Sequence, residues 1–450
     1  MGTNPSMTKT PILTIAAPAL LVLLSASTSS GEPLELSARI TRVDACGGWP
    51  SFVTLKDGSI LAVRGDRART SADGGTTWSR PTPFVAHPKM GIKSILRLNS
   101  GKLGVILVRV EGIPNVGHDA ENFRQMTVSF ATSADEGKTW SEAVRMNRYN
   151  TNGSPHVDTL IQTRKGRLIL TVRTGFAASR KTPSGAVGIV NGKRRKIGGH
   201  TTYPEMDISF CYLSDDEGKT WRKSRGFIFG WDHGKRLGCF PCDEPVVIEL
   251  KDGRILMMCR TTIGQLYRVY SDDGGENWGP PEPSGLASAY APCMIRRIPT
   301  TGDLVIIWNQ ASHEEIRSGY ERNRLSIAIS RDDGKTWTRG RTVFRSHLPA
   351  VSLLHPGEIT GHVAIKKFVG EIPTDFSSAD YPNIHFHKDT ILLHYDRNLK
   401  FGPKRGAYWT LKVFRISDLY ELLWCPVASP STPNDSHPKC LYPNRWPDPP

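Results

Sequence analysis

The 450-residue sequence is poor in cysteine and has no long apolar run. Its eight cysteines are too sparse for disulfides to be the main stabiliser of a fold this large. The apolar run from Pro11 to Leu24 is too short to span a bilayer comfortably. Cys239 and Cys242 stand in C-x-x-C spacing, but no second such pair or clustered histidine accompanies them, which favours structural thiols or a local disulfide over a metal site.

An excess of acidic residues is also missing. Lysine and arginine number 58 against 43 aspartates and glutamates, a net charge of +15, and long-range attraction therefore favours an acidic partner. The basic residues are spread along the chain, with one run from Lys193 to Lys196. No nucleic-acid-binding motif accompanies this run, and we expect it to lie in a solvated loop and not to bind nucleic acid.

The two ends of the chain differ in composition from the rest. Residues 1–30 carry a lysine, an apolar stretch and then small residues, the order typical of a secretory signal peptide. We therefore expect a secreted or periplasmic protein without stable membrane insertion. Residues 425–450 are rich in proline and serine and are predicted to be a tail, with Cys425 and Cys440 as the favoured disulfide pair. Residues 31–424 remain as one domain.

One short motif, S-x-D-x-G-x-[TN]-W, occurs five times at intervals near 60 residues. The copies begin at Ser71, Ser133, Ser214, Ser271 and Ser330. This Asp box suits a tight hairpin turn in which the serine and aspartate bind backbone amides, the glycine adopts a positive φ and the tryptophan packs between sheets. The aspartates are therefore interpreted as structural. A calcium loop is excluded because its later oxygen ligands are missing.

A second repeat lies upstream of each box, a polar turn followed by an apolar strand. Its six copies are at 56–61, 100–103, 165–170, 251–256, 301–305 and 388–392. Six turns and five boxes predict an all-β fold, a six-bladed β-propeller whose last blade lacks a box. We expect Trp409 to Ile416 to finish that blade and Leu34 to Val43 to pair beside it and close the ring.

With these repeats, the sequence resembles the sialidase (neuraminidase) superfamily over nearly all of the predicted mature chain. The resemblance implies a six-bladed propeller of the sialidase type. It also implies a site in which three arginines bind the sialate carboxylate. In that family a tyrosine assisted by a glutamate is the nucleophile, and an aspartate is the acid/base. No metal or other cofactor is expected.

Four residues match the family pattern. Glu244 precedes a strand, a D-G-R turn and a second strand that ends at Arg260, as do the family's glutamate and second arginine. Arg324, just before the fifth box, matches the third arginine. Tyr381, in Tyr-Pro-Asn-Ile, matches the nucleophile, although Pro382 stands where the family usually has serine.

Blade one departs from the family pattern. Gly48 stands where the first arginine is expected. Asp66 is the candidate acid/base in a shortened loop, and the loop from Glu111 to Arg124 offers His118 and Asp119 as a different acid or as substrate-binding residues. His156 and Asp158, with Glu205 and Asp207, occupy comparable stretches of blade three.

These residues favour a glycosidase that removes a terminal acidic sugar, sialic acid or a relative, from a glycan. A phenol is a poor nucleophile unless a base takes its proton and positive charge stabilises the phenolate, and Glu244 with two arginines would do both. Two alternatives stay open. One is a glycan-binding propeller without catalysis. The other is a polysaccharide lyase in which Tyr381 and a histidine act on a uronate. Linkage and oligomeric state stay undetermined.

Overall fold

Six four-stranded antiparallel sheets make up most of the computed structural model. The structure describes residues 39–41, 50–111, 125–147, 153–175, 186–197, 207–232, 238–338, 340–346, 368–402 and 405–424. Four sheets are meanders in which consecutive strands are neighbours, a fifth skips a hairpin inserted between its second and third strands, and the sixth takes its outermost strand from the start of the chain. We call the sheets blades one to six in chain order.

The elements follow one another in the order of the blades. The first strand, β1 (Arg39–Thr41), belongs to blade six, and blades one and two consist of β2 (Ser51–Thr54), β3 (Ile60–Arg64), β4 (Arg67–Ser71), β5 (Thr82–Pro83), β6 (Gly91–Arg97), β7 (Leu103–Glu111), β8 (Gln125–Ser133) and β9 (Val144–Arg145). The next strands are β10 (Ser154–Gln162), β11 (Leu168–Gly175), β12 (Val187–Val190), β13 (Lys193–Lys196), β14 (Asp207–Ser214), β15 (Arg222–Lys223), β16 (Gly230–Asp232) and β17 (Gly238–Phe240). Blade three consists of β10, β11, β14 and β15, the hairpin β12–β13 between them in sequence belongs to a separate sheet, and β16 and β17 form a two-stranded sheet.

The second half of the chain repeats this plan. Blades four and five, with one short helix, consist of β18 (Asp243–Glu249), β19 (Ile255–Arg260), β20 (Gln265–Ser271), β21 (Glu282–Ala287), β22 (Met294–Arg297), β23 (Leu304–Trp308), α1 (His313–Arg317), β24 (Arg324–Ser330) and β25 (Arg341–Arg345). The last elements are β26 (Phe368–Glu371), the blade-six strands β27 (Ser377–His387), β28 (Thr390–Leu399) and β29 (Gly406–Arg415), and α2 (Ile416–Trp424).

The first strand of each blade contacts the first strand of the next blade around the ring. These strands are β2, β6, β10, β18, β22 and β27, and β27 returns to contact β2. The predicted six-bladed propeller is confirmed. The strand after each polar turn is the second from the axis, and Glu244 and Tyr381 lie on innermost strands.

The Asp boxes form the predicted turns. In the first box the Ser71 hydroxyl accepts the Gly75 amide at 2.8 Å, and Asp73 accepts the Thr77 amide at 2.9 Å. Gly75 adopts φ 97°, which a side chain at this position would strain. The box tryptophans pack between blades: Trp78 of blade one lies against Leu392 and Leu411 of blade six. Their aspartates are occupied by the turns, which supports the structural interpretation.

The ring closes as the sequence predicts. Strand β1 pairs antiparallel with β29, Arg39 opposite Val413 and Thr41 opposite Leu411. The outer edge of blade six is thereby covered by the start of the chain, and pairing of this kind removes an edge that could join another molecule.

One expectation from the sequence needs correction. The run from Lys193 to Lys196 is not a loop but the strand β13, with all four residues exposed. Of the two forms expected for Cys239 and Cys242, the structure has thiols and not a local disulfide. Cys425, Cys440 and the predicted signal peptide lie outside the described residues. In the part of the chain that the structure describes, no helix has the length and apolar character needed to cross a membrane.

Candidate active site

Bulges in the innermost strands aim side chains at one end of the propeller axis. The pairing register shifts in β10, β18 and β27, and at these bulges Asp158, Glu244 and Tyr381 adopt φ 59°, 41° and 49°. Left-handed backbone at a non-glycine residue costs about 1 kcal/mol or more. Prolines follow Glu244 and Tyr381, and because proline has no N–H for the ladder, it favours a bulge at these points. Bulges of this kind commonly re-aim side chains at functional sites.

Tyr381 and Glu244 meet across the axis from blades six and four. The Tyr381 hydroxyl donates to Glu244 Oε1 at 3.4 Å. The negative charge of Glu244, together with burial, raises the pKa of Tyr381 to about 12, although Arg322 and Arg260 oppose the shift. The phenol is therefore neutral at physiological pH, and Glu244 is the base within reach of its proton.

Arg260 holds Glu244 in place from below. Its Nη1 lies 2.8 Å from Glu244 Oε2, and its Nε donates to Asp243 Oδ2 at 2.9 Å. The contact with Glu244 is an ion pair and not a well-aligned hydrogen bond. Tyr290 completes the arrangement, since its ring lies 4.2 Å below the guanidinium and its hydroxyl donates to Asp243 at 3.0 Å. Arg260 is only 2% exposed, and its contacts fix the position of Glu244; that it binds substrate stays a prediction.

Asp243 links this arrangement to blade three. Although burial alone would raise its pKa, the charges of Arg260 and Arg173 hold the pKa of Asp243 at about 2. Arg173 lies 3.5 Å from Asp243 and 3.0 Å from Asp207. Asp207 is thus part of this buried ionic network, and the network fixes Arg260.

The arginine beside Tyr381 is Arg322, not Arg324. The Arg322 guanidinium lies 5.6 Å from the Tyr381 ring centre, and Nη1 donates to Asp380 at 3.0 Å. Arg324, which the sequence matched to the third arginine, is buried and binds Glu315 of α1 at 2.8 Å. This correction has a simple cause, because α1 supplies a buried carboxylate to one of two arginines that alternate along the same segment.

His156 stacks on the tyrosine. The two rings lie 5.3 Å apart at an angle of 28°. His156 Nδ1 contacts the Val157 carbonyl at 3.2 Å, and Nε2 is buried without a hydrogen-bond partner among the described residues. Burial lowers the pKa of His156, against the attraction of Glu244. A neutral imidazole therefore stands next to the phenol.

Two further cations, Lys93 and Arg64, are partly exposed near the same centre. Burial, with repulsion from Arg64, lowers the pKa of Lys93, while the charge of Glu244 raises it. Burial also lowers the pKa of Arg64, against the attraction of Asp396. Among the described residues, Arg322 and Arg173 are also partly exposed cations near Glu244.

The remaining sequence candidates that the structure describes do not contact Tyr381 or Glu244. Asp66 is exposed in the turn between β3 and β4, where its carbonyl accepts the Phe84 amide at 2.7 Å. No side-chain contact from Asp66 to Tyr381 or Glu244 is present among the described residues. His118, Asp119 and Gly48 lie outside the described residues, as does Glu205. Asp158 binds Arg296 at 2.6 Å and Ser51, a separate buried cluster on the axis.

Residues 104–394 match the BNR repeat-like domain family. The chain belongs to this family, within the sialidase superfamily. A curated relative, a sialidase from Micromonospora viridifaciens, is 25% identical over 375 residues, covering 72% of this chain and 50% of the relative. The chain thus spans about half the length of the curated relative that it matches.

Two solved structures are similar to this chain at low sequence identity. A protein of unknown function from Dyadobacter fermentans is 16% identical with a TM-score of 0.51, covering 86% of this chain and 97% of that chain. A Trypanosoma rangeli sialidase is 14% identical with a TM-score of 0.49, covering 83% of this chain and 55% of that chain. The first of these two likenesses supports the propeller fold of the family.

Several residues of the site were not identified from the sequence. Arg322, Lys93, Tyr290 and Arg64 carry no motif that separates them from the other basic and aromatic residues of a chain rich in both. The sequence did carry a signal for the bulges. A proline follows each of Glu244 and Tyr381, and because proline has no N–H to donate to the neighbouring strand, it indicates that the strand is interrupted there.

Proposed function

We propose that this chain is a glycosidase that releases a terminal acidic sugar, sialic acid or a related sugar, with Tyr381 as nucleophile. The observation that supports this most is the pair of strained bulges that aim Tyr381 and Glu244 at each other at 3.4 Å. Strain held at two facing residues on separate blades has no packing benefit of its own and is typical of a functional site. Export by the N-terminal segment is part of the same proposal.

The first chemical step forms a bond between Tyr381 Oη and the anomeric carbon. Glu244 takes the phenol proton as the bond forms, and the bond from the anomeric carbon to the leaving oxygen breaks. The leaving oxygen takes a proton from an acid, for which we propose Asp66 in the exposed turn between β3 and β4. Water then attacks the anomeric carbon and gives a proton to the Asp66 carboxylate, while the bond from that carbon to Tyr381 Oη breaks and the phenolate regains its proton from Glu244.

A neutral nucleophile suits an anionic substrate. A carboxylate nucleophile would repel the sugar's own carboxylate, whereas a phenol becomes charged only as its proton moves to Glu244. The sugar carboxylate would bind partly exposed cations near Tyr381, and we assign this role to Arg322, Lys93 and Arg64. Gly48 at the position of the family's first arginine does not preclude binding, because Arg64 of the same blade supplies a guanidinium from β3.

The test is covalent trapping. A fluorinated sialosyl donor, whose tyrosyl adduct is slow to hydrolyse, should label the wild-type protein, and peptide mass mapping should place the adduct on Tyr381. Release of free sugar from a panel of sialosides should accompany it. No label and no release, with glycan binding intact, would favour the binding propeller over the enzyme.

One observation favours a second candidate, a lyase. His156 is stacked on Tyr381 with a buried, unpartnered Nε2, and a tyrosine with a histidine can abstract the proton beside a uronate carboxylate and protonate the leaving oxygen. New ultraviolet absorbance from an unsaturated uronate, with no release of sugar by hydrolysis, would support this candidate.

A further inference from the structure

A cavity of about 940 Å³ lies between the β12–β13 hairpin and the turn that joins β28 to β29. Its lining includes five cationic side chains, Lys193, Arg195, Lys196, Lys400 and Arg405. We call this cavity the basic cleft. Neither the proposed chemistry nor the family match assigns it a role.

The hairpin that forms one wall belongs to blade three in sequence but packs near blade six. Strand β12 pairs in parallel with β26, Val187 opposite Phe368. Beneath the hairpin, buried apolar residues, among them Val190, Ile197 and Phe376, hold it in place. With its apolar side covered, the hairpin presents the whole of β13 to solvent.

No carboxylate of the described part of the chain neutralises the charge of the basic cleft. None of its five cations forms an ion pair with a carboxylate of the described residues. A second basic cavity, of about 540 Å³, shows the contrast. There Arg167 binds Asp215 and Arg222 binds Glu276, so the protein supplies the counter-charges. Cations gathered in a concave surface without counter-charges raise the local concentration of anions.

Hydrogen bonds link the lining of the basic cleft to the surroundings of Tyr381. Asn398, in its lining, donates to Asp380 Oδ2 at 2.6 Å, and Asp380 binds Arg322 beside the tyrosine ring. Asn398 lies two residues along β28 from Asp396, which pairs with Asp380, a distance of about 7 Å along a strand. One oligosaccharide could therefore reach both places.

We propose that the basic cleft binds a second anionic group, a sulfate or a carboxylate, on the same glycan whose terminal acidic sugar lies at Tyr381. This inference rests on the proposed function for the place of the terminal sugar. It makes the preferred substrate a polyanionic glycan and not a singly charged one.

The experiment compares two triple variants of equal charge. The cleft variant is Lys193→Glu with Arg195→Glu and Lys196→Glu. The control is Lys138→Glu with Lys219→Glu and Lys335→Glu, which changes exposed lysines of the Asp boxes. Both are made in the Tyr381→Phe background, so that binding is measured without turnover, and both are checked for unchanged melting temperature.

The probes are a size-defined sulfated oligosaccharide, an oligosialic acid and a singly sialylated trisaccharide, each titrated by calorimetry. We expect the cleft variant to lose about tenfold or more in affinity for one or both polyanions and to keep its affinity for the trisaccharide. The control variant should bind all three probes with affinities within about twofold of those of the Tyr381→Phe protein. Which polyanion is affected distinguishes sulfate from carboxylate as the second group.

Three results would overturn the inference. Equal losses in the two variants would mean that net charge alone acts. Unchanged polyanion binding by the cleft variant would remove the subsite. An oligodeoxynucleotide of equal charge that binds the cleft as tightly as the glycans would assign it to nucleic acid. A catalytically inactive wild type that still shows cleft-dependent binding of a polyanion would defeat the proposed hydrolysis but retain the anion site.

Discussion

A single residue separates Arg322 from Arg324, yet their guanidinium groups bind carboxylates on different elements. Arg322 binds Asp380 of β27 at 3.0 Å, beside Tyr381. Arg324 binds Glu315 of α1 at 2.8 Å and is 3% exposed. Two arginines with the same sequence context thus have separate roles, one at the site and one in the core.

Exchanging each arginine for alanine should separate these roles. Arg322→Ala should lower kcat/KM about a hundredfold with little change in stability, since it removes a cation near the nucleophile. Arg324→Ala should lower the free energy of unfolding by about 3–5 kcal/mol, because Glu315 would be left buried and unpaired. Steady-state kinetics and urea denaturation measure the two effects. The opposite assignment, an inactive but stable Arg324→Ala protein, would restore Arg324 to the site.

Tyr381→Phe should lower kcat by about a thousandfold or more and leave glycan binding intact, because the phenyl ring keeps the packing on His156 while the nucleophilic oxygen is lost. Turnover of a chromogenic sialoside and calorimetric binding are the measurements. Tyr290→Phe is a matched control, since it removes the hydroxyl that binds Asp243 and leaves the Tyr381 nucleophile in place. Full activity of Tyr381→Phe would exclude a tyrosyl intermediate.

Glu244→Gln should lower the pKa of Tyr381 from about 12 toward the ordinary value of 10.0, because the negative charge of Glu244 is the largest cause of the shift. The tyrosinate absorbance of Glu244→Gln should therefore rise at lower pH than that of the wild type. Subtracting the titration curve of the Glu244→Gln, Tyr381→Phe double variant from that of Glu244→Gln isolates the absorbance of Tyr381. Identical curves for wild type and Glu244→Gln would show that burial, and not Glu244, sets the pKa.

Acid should destabilise the fold through two buried histidines. Burial lowers the pKa of His385 to about 4 and that of His394 to about 3, from 6.5. Between the folded and unfolded pKa values, the unfolded chain binds more protons than the folded protein. The free energy of unfolding is therefore highest above pH 6.5 and falls as the pH decreases toward 4 for His385 and 3 for His394. His385 alone should account for about 3 kcal/mol.

Unfolding free energies of wild type and His385→Gln, measured by urea denaturation from pH 7 to pH 4, test this. The variant should be less sensitive to acid. His87→Gln, a change in a loop outside this cluster, is the control. A pH dependence that is the same in wild type and His385→Gln would contradict the assignment.

Asp73→Ala should destabilise the propeller without changing its activity. The carboxylate accepts the Thr77 amide and hydroxyl at 2.9 and 2.6 Å, and the Thr77 hydroxyl is the largest cause that holds the pKa of Asp73 down at about 2. Loss of these bonds should cost about 1–3 kcal/mol. Asp73→Asn keeps an acceptor and should cost less. Melting temperature and turnover measure both, and a large loss of turnover at unchanged stability would argue for a catalytic role.

The sequence could predict the fold because the fold is repeated. Each box sets one turn by local hydrogen bonds, such as Ser71 to Gly75, so five copies locate five blades independently of one another. The sixth follows from its polar turn alone. Glu244 and Tyr381 could be matched because each stands at a fixed distance from such a turn.

The rest of the site could not be predicted, because it depends on contacts between distant segments. Arg322 differs from Arg324 in which carboxylate reaches it, and Glu315 comes from a short helix that belongs to neither repeat. The basic strand β13 was expected as a loop because its pairing partner, β12, and its support, β26, lie in segments without a repeat. Such choices are made by packing and not by local sequence.

The pairing of β1 with β29 also determines when the ring can close during synthesis of the chain. Strand β1 is among the first parts of the propeller to be made, and its partner is among the last. At 5–20 residues per second, β1 waits roughly 20 to 70 seconds for β29. Blades one to five can assemble on the ribosome during that time, but the ring stays open until the chain is almost complete. A nascent chain stalled before β29 would expose the free edge of β1 to any other strand.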